Sequence, residues 1–443
     1  MNVEEEQKQL QDCIDRALTE ASLLGATQAE VAASSGEGLS VSVRSAEVET
    51  VEFTKNRGFA ITVYTGHSKG SSSTSDLSLE AIRRAVAAAI DIAHYTADDE
   101  CSGLAAPELL ASDALDLDLY HPWDLDSTDA VRLALDCEQA GLSNHPNIKK
   151  SDGASVSSSG GVRVYGNSHG FFGAATGTSH SIGCSMIAEN DSGMERSHWF
   201  SGGRVASALD EAAFIGDKAA SRAVKRLGAR KIVTCDVPVL YSAEVAGSLV
   251  GHLIGAISGG NLFRKSSFML DSLGTAVMPP IVSIYELPQL LQGNASASFD
   301  GDGLATYEKK IVNQGTLESY IMGVYSARRL GMQSTANAGG VRNLRAASTG
   351  QSLEQLFSEM GTGLYVTSLM GQGVNMVTGD YSRGAEGFWI ENGELQYPVK
   401  EVTIAGNLAD MFLDISAIGT DTDTRGNVQV GSMLISKMKV AGA

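Results

Sequence analysis

The stretch LSVSVRSAEVETVEFTKNRGFAITVYTGHSKGSSSTSDLS, residues 39–78, decides the fold class. Its short runs of Val, Thr, Phe, Ile and Tyr alternate apolar and polar positions, the period-two signature of half-buried strands. KNRG (55–58) reads as a turn between two of them. The alternation predicts an antiparallel meander with one solvated face. Ser75 or Asp76 stands where a cap is needed for a following helix, in which Ile82, Val86, Ile90 and Ala93 form one stripe.

Outward from this stretch the pattern is mixed. Residues 4–24 form a surface helix, with Leu10, Cys13, Ile14, Leu18 and Ala21 at helical spacing. A third helix covers 127–143, and 148–201 return to Gly- and Ser-rich strands. A fourth, DEAAFIGDKAASRAVKRLGARK, runs from acidic to basic as the helix macrodipole favours. From the strand CDVPVLY (235–241) onward, strands and turns dominate. IVNQGTLESY (311–320) and WIENGELQY (389–397) read as hairpins, the second marked by Asn392-Gly393, which tolerates positive φ at both positions. Short helices interrupt at SARRLG and SLEQLFSEMG. The expected class is α+β: an N-terminal α/β domain with an antiparallel sheet over residues 1–230, then a mainly antiparallel β domain over 231–443.

Composition narrows the function. A chain of 443 residues supports two or three domains with sizeable cores. No apolar run approaches the roughly 20 residues of a membrane span. The opening MNVEEEQKQLQDCIDRALTEAS lacks the basic start and apolar core of a secretory signal. Cys13, Cys101, Cys137, Cys184 and Cys235 include no close pair and no CxxC, which suits a reducing cytoplasm and argues against a disulfide framework. A net charge of −19 argues against nucleic acid as a partner, because phosphate neutralisation needs a basic field. No membrane partner is expected either.

The chemistry-bearing motifs are mostly absent. The histidines, at 67, 94, 121, 145, 169, 180, 198 and 252, include no HxH, HExxH or HxxxH pair, so no helix supplies two zinc ligands on adjacent turns. No G-x-S-x-G elbow and no phosphate-binding GK[ST] loop occurs. The helix within YSAEVAGSLVGHLIGAISGGNLFRKSSF (241–268) is the remaining candidate. On a wheel at 100° per residue, Leu249, Val250, Leu253, Ile254, Ala256 and Ile257 take one side, and Gly247, Gly251, Gly255 and Gly259 take the other. Glu244 falls among the glycines and His252 on the border. Each glycine costs about 1 kcal/mol of helix propensity relative to Ala. The offsetting gain is close approach, by a packed neighbour or by a bound extended peptide. His252 reads as a scaffold histidine or as part of a site. Arg264-Lys265 reads as a solvated pair or as a clamp for a carboxylate. TGDYSRGAEGFW (378–389), carrying Asp380 and Arg383, reads as a structured turn or as a peptide-orienting loop.

Several long stretches carry a specific resemblance over nearly the whole chain: VEFTKNRGFAITVY, KGSSSTSDLS, VYGNSHG, GHLIGAISGGNLFRKSSFMLDSLG, YSARRLGMQSTANAGG, EMGTGLYVTSLMGQGVNMVTGDYSRGAEGFWIENGELQYPV and TIAGNLADMF. They resemble the TldD/PmbA peptidase family, in its TldE-like branch. The resemblance implies one subunit of a cytoplasmic TldD–TldE zinc metallopeptidase that trims unfolded or modified peptides and is linked to antitoxin turnover and gyrase-directed toxins. In the TldD branch one helix carries HExxxH, and a cysteine near the C-terminus completes the zinc site. Here the HExxxH place falls on GHLIGA (251–256), and TRGNVQVGS (424–432) stands where that cysteine would be. The resemblance therefore implies no metal and no catalytic residue in this chain, with zinc in a TldD-like partner. Glu244, His252, Arg264, Lys265, Asp380, Arg383 and Arg425 are the candidate peptide-binding or degenerate-site positions. Two rival readings are a self-sufficient peptidase with a metal site of another kind and a non-enzymatic modulator of a toxin–antitoxin or gyrase system. The reading also leaves room for a homodimer of the isolated chain.

Overall fold

The computed structural model describes residues 1–112 and 115–442. The N-terminal half contains α1 (Val3–Leu23), β1 (Gln28–Arg44), β2 (Glu47–Thr65), β3 (Ser68–Thr74), α2 (Leu79–Tyr95), α3 (Ser127–Ser143), β4 (Ile148–Asn167), β5 (Phe172–Asn190), β6 (Gly193–Gly203) and α4 (Ala212–Lys225). Its strands form one antiparallel sheet in the order β3-β2-β1-β4-β5-β6. Along β1 the buried apolar residues are Ala29, Val31 and Ala33, then Leu39, Val41 and Val43. Their spacing puts both sets on the same face. The first set packs with α1 and α2, the second with α3 and α4. Two helix pairs thus share one sheet face, separated by a polar band at Ser35 and Glu37.

Two expectations fail here. KNRG is not a turn: residues 55–58 lie inside β2, with Lys55 opposite Glu37 and Gly58 opposite Ser34. The turn is earlier, at Ser45-Ala46, which adopt φ of 55° and 61°. Because β1 runs on past 55–58, a reversal there would break its ladder. Nor does Ser75 or Asp76 cap α2. Ser78 does so, its side chain accepting from the Ala81 N–H at 3.3 Å, while Asp76 accepts from the Ser78 N–H at 2.8 Å.

The C-terminal half contains β7 (Cys235–Tyr241), α5 (Ala243–Ala256), α6 (Gly259–Phe263), β8 (Ile284–Glu286), β9 (Lys309–Asn313), β10 (Thr316–Leu317), α7 (Val324–Leu330), β11 (Leu344–Ala346), α8 (Leu353–Met360), β12 (Gly363–Met370), β13 (Asp380–Glu391), β14 (Glu394–Asn407), α9 (Leu408–Leu413), β15 (Ile415–Ile418), β16 (Val428–Gln429) and β17 (Met433–Ala441). They make a sheet of order β10-β9-β8-β11-β16 and another of order β14-β13-β12-β7-β17-β15. Pairing is antiparallel except between β12 and β7 and between β11 and β16. The class is α+β. Both expected hairpin turns form, with Gln314-Gly315 at φ of 46° and 81° and Asn392-Gly393 at 53° and 76°. The apolar side of α5 (Ala246, Leu249, Val250, Leu253 and Ala256) enters a core shared with Ile284, Ile311, Val366, Ile404 and Ile435. Among the described residues, no helix is long and apolar enough to cross a membrane.

Candidate functional site

The site is built where α5 meets the segment 424–432, although the two lie far apart in sequence. Ser432 joins them. Its buried hydroxyl accepts from the Ala243 N–H at 3.1 Å and donates to Asp421 at 2.6 Å, so a distant serine supplies the helix cap that Ser242 does not. A turn further along α5, Val428 lies beside Gly247, where an added Cβ would stand 3.6 Å from its side chain. The fold therefore brings α5 and the segment 424–432 together, the two stretches that the resemblance compares with zinc-ligand positions.

What occupies those places does not fit zinc. His252 stacks edge-on to Tyr381 at 5.9 Å, and its Nε2 is buried with no hydrogen-bond partner among the described residues. Burial, reinforced by the Arg383 guanidinium, lowers its pKa, so the ring is neutral at pH 7. A guanidinium beside the ring repels a bound cation, and metal-bound histidines ordinarily lean on an acceptor instead. Among the described residues no three His, Cys, Asp or Glu side chains are placed to hold a metal ion.

Glu244 is committed elsewhere. Its two oxygens accept from both terminal nitrogens of Arg222, on α4, at 2.8 and 2.7 Å. Arg222 lies over the ring of Trp199 (β6) at 5.1 Å, and Arg425 covers the same ring at 3.9 Å. Burial works against the charge of Arg425, but a fork from Asp423, with bonds of 2.9 and 2.8 Å, and the nearby Glu244 outweigh it and raise its pKa. Glu244 and Arg425 thus meet around Trp199, where the first sheet is fastened to α5 and to 424–432. Lys400, bonded to Glu195 of β6 at 2.8 Å, makes a further tie across the same two halves.

The other candidates separate into two groups. Asp380 and Arg383 sit on β13 beside Tyr381. Asp380 accepts from the Thr378 hydroxyl at 2.6 Å, and the Arg383 Nε donates to the Gly371 carbonyl at 3.1 Å, bracing the loop that precedes β13. Arg264 and Lys265 end α6 on the exposed surface. Arg264 reaches Asn261 at 3.3 Å, and Lys265 takes a φ of 55° to leave the helix. Sequence reasoning did not select Trp199, Arg222 or Asp423, and no local pattern marks them. Tyr381 was visible within TGDYSRGAEGFW, without a sign that it would lie against His252.

The glycine side of α5 differs from the close-approach reading. A Cβ at Gly247 or Gly255 would meet its neighbours at ordinary distance (Val428 from 3.6 Å and Met376 from 3.4 Å), and at Gly251 nothing among the described residues lies within 4 Å. Gly259, opening α6, is the tight one, with the Ser326 hydroxyl 2.5 Å from its Cβ position. Gly251→Ala should therefore stabilise the protein by up to about 1 kcal/mol, whereas Gly259→Ala should destabilise it by about 1–3 kcal/mol. Urea unfolding of the two variants checks the contrast. Clefts of about 680 and 620 Å³ lie on either face of the N-terminal sheet, and none of the α5 residues lines them.

α5 and the segment 424–432 thus meet on an α+β scaffold whose two halves are fastened around Trp199. The chain belongs to the PmbA/TldE branch of the PmbA/TldD metallopeptidase family. Residues 29–93, 120–227 and 234–442 match the models of PmbA/TldA metallopeptidase domain 1, central domain and C-terminal domain. The chain is 49% identical over 441 residues to metalloprotease PmbA of Escherichia coli O157:H7, covering 99% of this chain and 98% of that one. Its fold superposes with a TM-score of 0.93 on a candidate modulator of DNA gyrase from Bacteroides thetaiotaomicron, 26% identical and fully covered on both sides. TldE from Thermococcus kodakarensis has the same fold, with a TM-score of 0.84 at 18% identity over 97% of this chain and 100% of that one.

Proposed function

We propose that this chain is the zinc-free subunit of a cytoplasmic two-chain metallopeptidase, closing the reaction chamber of a TldD-like catalytic subunit and holding extended peptide. The observation that carries the reading is the state of α5. At the HExxxH place it offers one neutral imidazole beside a cation, and its acid, Glu244, is bound by Arg222. Zinc-bound hydroxide, the nucleophile such a peptidase uses, therefore belongs to the partner. This chain contributes surface instead. The open side of α5 at Gly251, flanked by Met376 and Val428, admits a backbone without side-chain obstruction. Main-chain contact of this sort grips unfolded or modified peptides with little regard for sequence.

The test is hydrolysis of an unstructured peptide by this chain, by an HExxxH-bearing partner, and by the two together. Cleavage should require the partner, rise by about tenfold or more on adding this chain, and vanish with chelator. Chelator-sensitive cleavage by this chain alone would refute the proposal.

A further inference from the structure

The cleft of about 620 Å³ lies between the helix-free face of the N-terminal sheet and, from the C-terminal half, residues 294–301 and Arg342. On β4, Val162 and Val164 enter the helix-covered core, so Arg163 between them points into the cleft. Its neighbours across the sheet, Ser34 on β1 and Ala175 on β5, are too small to cover it. Two residues along β5 from Ala175, the Arg204 guanidinium lies over Gly177, where an added Cβ would stand 2.9 Å from Nη1. The strand positions beneath the two arginines are thus about 7 Å apart, within reach of one ligand. Arg342 completes the set from the C-terminal side.

None of the three is paired with an acid among the described residues. Arg163 is exposed and makes no hydrogen bond or ion pair there. The Arg204 side chain donates only to the carbonyls of Thr178 at 2.8 Å and Asn294 at 2.7 Å, and burial works against its charge with no carboxylate to offset it. Arg342 makes one side-chain bond, to the Ala338 carbonyl at 3.4 Å. The Nε atoms of Arg204 and Arg342 are buried with no partner among the described residues. Acids are not scarce in this chain, which has 52 against 33 basic residues, and Arg222 and Arg425 each have one. Asp300 lines the same cleft, but its oxygens are taken by the backbone N–H groups of Asp302 at 2.9 Å, Leu304 at 3.0 Å and Ala338 at 2.9 Å.

From this unpaired positive charge we infer that the cleft binds the C-terminal carboxylate of an extended peptide. That a peptide supplies the carboxylate rests on the peptidase reading; the preference for a carboxylate does not. Guanidinium groups offer a fork of donors that a carboxylate can accept with both oxygens. Because Asp300 already places one negative charge in the cleft, a singly charged carboxylate is favoured over a phosphate dianion. The volume is that of a small-ligand site, enough for a chain end and too little for a folded partner. Small wall residues such as Ala32, Gly36 and Gly161 leave room for the backbone leading to that end.

Fluorescence anisotropy of the full chain, without partner or zinc, tests this with one uncharged, N-terminally labelled peptide in its free-acid and C-terminal amide forms. The acid should bind about tenfold or more tightly than the amide, which turns N–H groups toward a wall of donors. Arg163 holds no other residue in place, so Arg163→Gln should keep the fold and remove most of that preference, while Arg163→Lys should retain part of it. Inorganic phosphate should bind more weakly than the acid peptide. Equal affinity for acid and amide, an acid preference unchanged in Arg163→Gln, or phosphate binding tighter than the acid peptide would overturn the inference. No hydrolysis is read, so such a result leaves the two-chain peptidase standing, and a failure of the peptidase leaves the acid preference measurable.

Discussion

Replacing Gly251 by Trp is expected to leave the fold intact and, under the proposed function, to reduce peptide turnover by this chain with a TldD-like partner at least tenfold. The structural half of this expectation rests on exposure: Gly251 is exposed, and nothing among the described residues lies within 4 Å of a Cβ built there. Helix propensity also favours Trp over Gly at an interior position by a few tenths of a kcal/mol. The functional half follows from where that space lies. Gly251 begins the HExxxH counterpart, between Val428 at Gly247 and Met376 at Gly255. A peptide carried along α5 would meet the indole, and one routed elsewhere would not. Gly251→Ala is the control and should lose little turnover. Unchanged melting with a raised KM or a lowered kcat supports the passage, and wild-type kinetics for the Trp variant contradicts it.

The second large effect concerns Trp199. Its ring lies beneath Arg425 at 3.9 Å, Arg222 at 5.1 Å and Lys218 at 5.3 Å. Through those arginines it fastens Glu244 of α5 and Asp423 to the first sheet. Cation–π contacts at partly exposed sites contribute about 0.5–1 kcal/mol each, and the ring's own contacts add to that. Trp199→Ala should therefore destabilise the protein by about 2–4 kcal/mol, a cost typical of losing a large, mostly buried side chain. Glu244→Gln should cost less, about 0.5–1 kcal/mol, because the Arg222–Glu244 pair is partly solvated and screened. The telling feature is cooperativity. With the ring gone, probes in the N-terminal and C-terminal halves should unfold at different urea concentrations. A single coincident transition in Trp199→Ala would show that the halves are fastened by other contacts.

Much of this molecule was legible in its sequence, for reasons that can be located. The strands from residue 39 onward announce themselves because their apolar residues alternate against a single helical layer, as at Leu39, Val41, Phe59 and Ile61, whereas the first part of β1 was not read. The hairpin at Asn392-Gly393 was legible because only a few residue types accept positive φ twice in succession. KNRG misled because Asn and Gly suit turns yet do not forbid extended backbone, and only the unbroken partner strand β1 decides between the two. The cap of α2 was misplaced by two or three residues for a related reason: Ser75, Asp76 and Ser78 all have capping side chains, and packing selects among them. The site was harder to see. His252 and the segment 424–432 were identified through the family's motif, but Ser432 capping α5 and Arg222 holding Glu244 are long-range contacts. No periodicity records them. The glycine stripe was legible as a pattern, while its meaning depended on the empty space at Gly251, which exists only in three dimensions.

The central claim is that the metal of this enzyme belongs to the other chain, and zinc stoichiometry tests it most directly. The chain should be purified alone and with its HExxxH-bearing partner, dialysed against metal-free buffer, and measured by plasma mass spectrometry. The account predicts no retained zinc in the isolated chain and one zinc per pair of chains in the complex, unchanged by His252→Ala. One zinc per isolated chain, lost on His252→Ala, would contradict it.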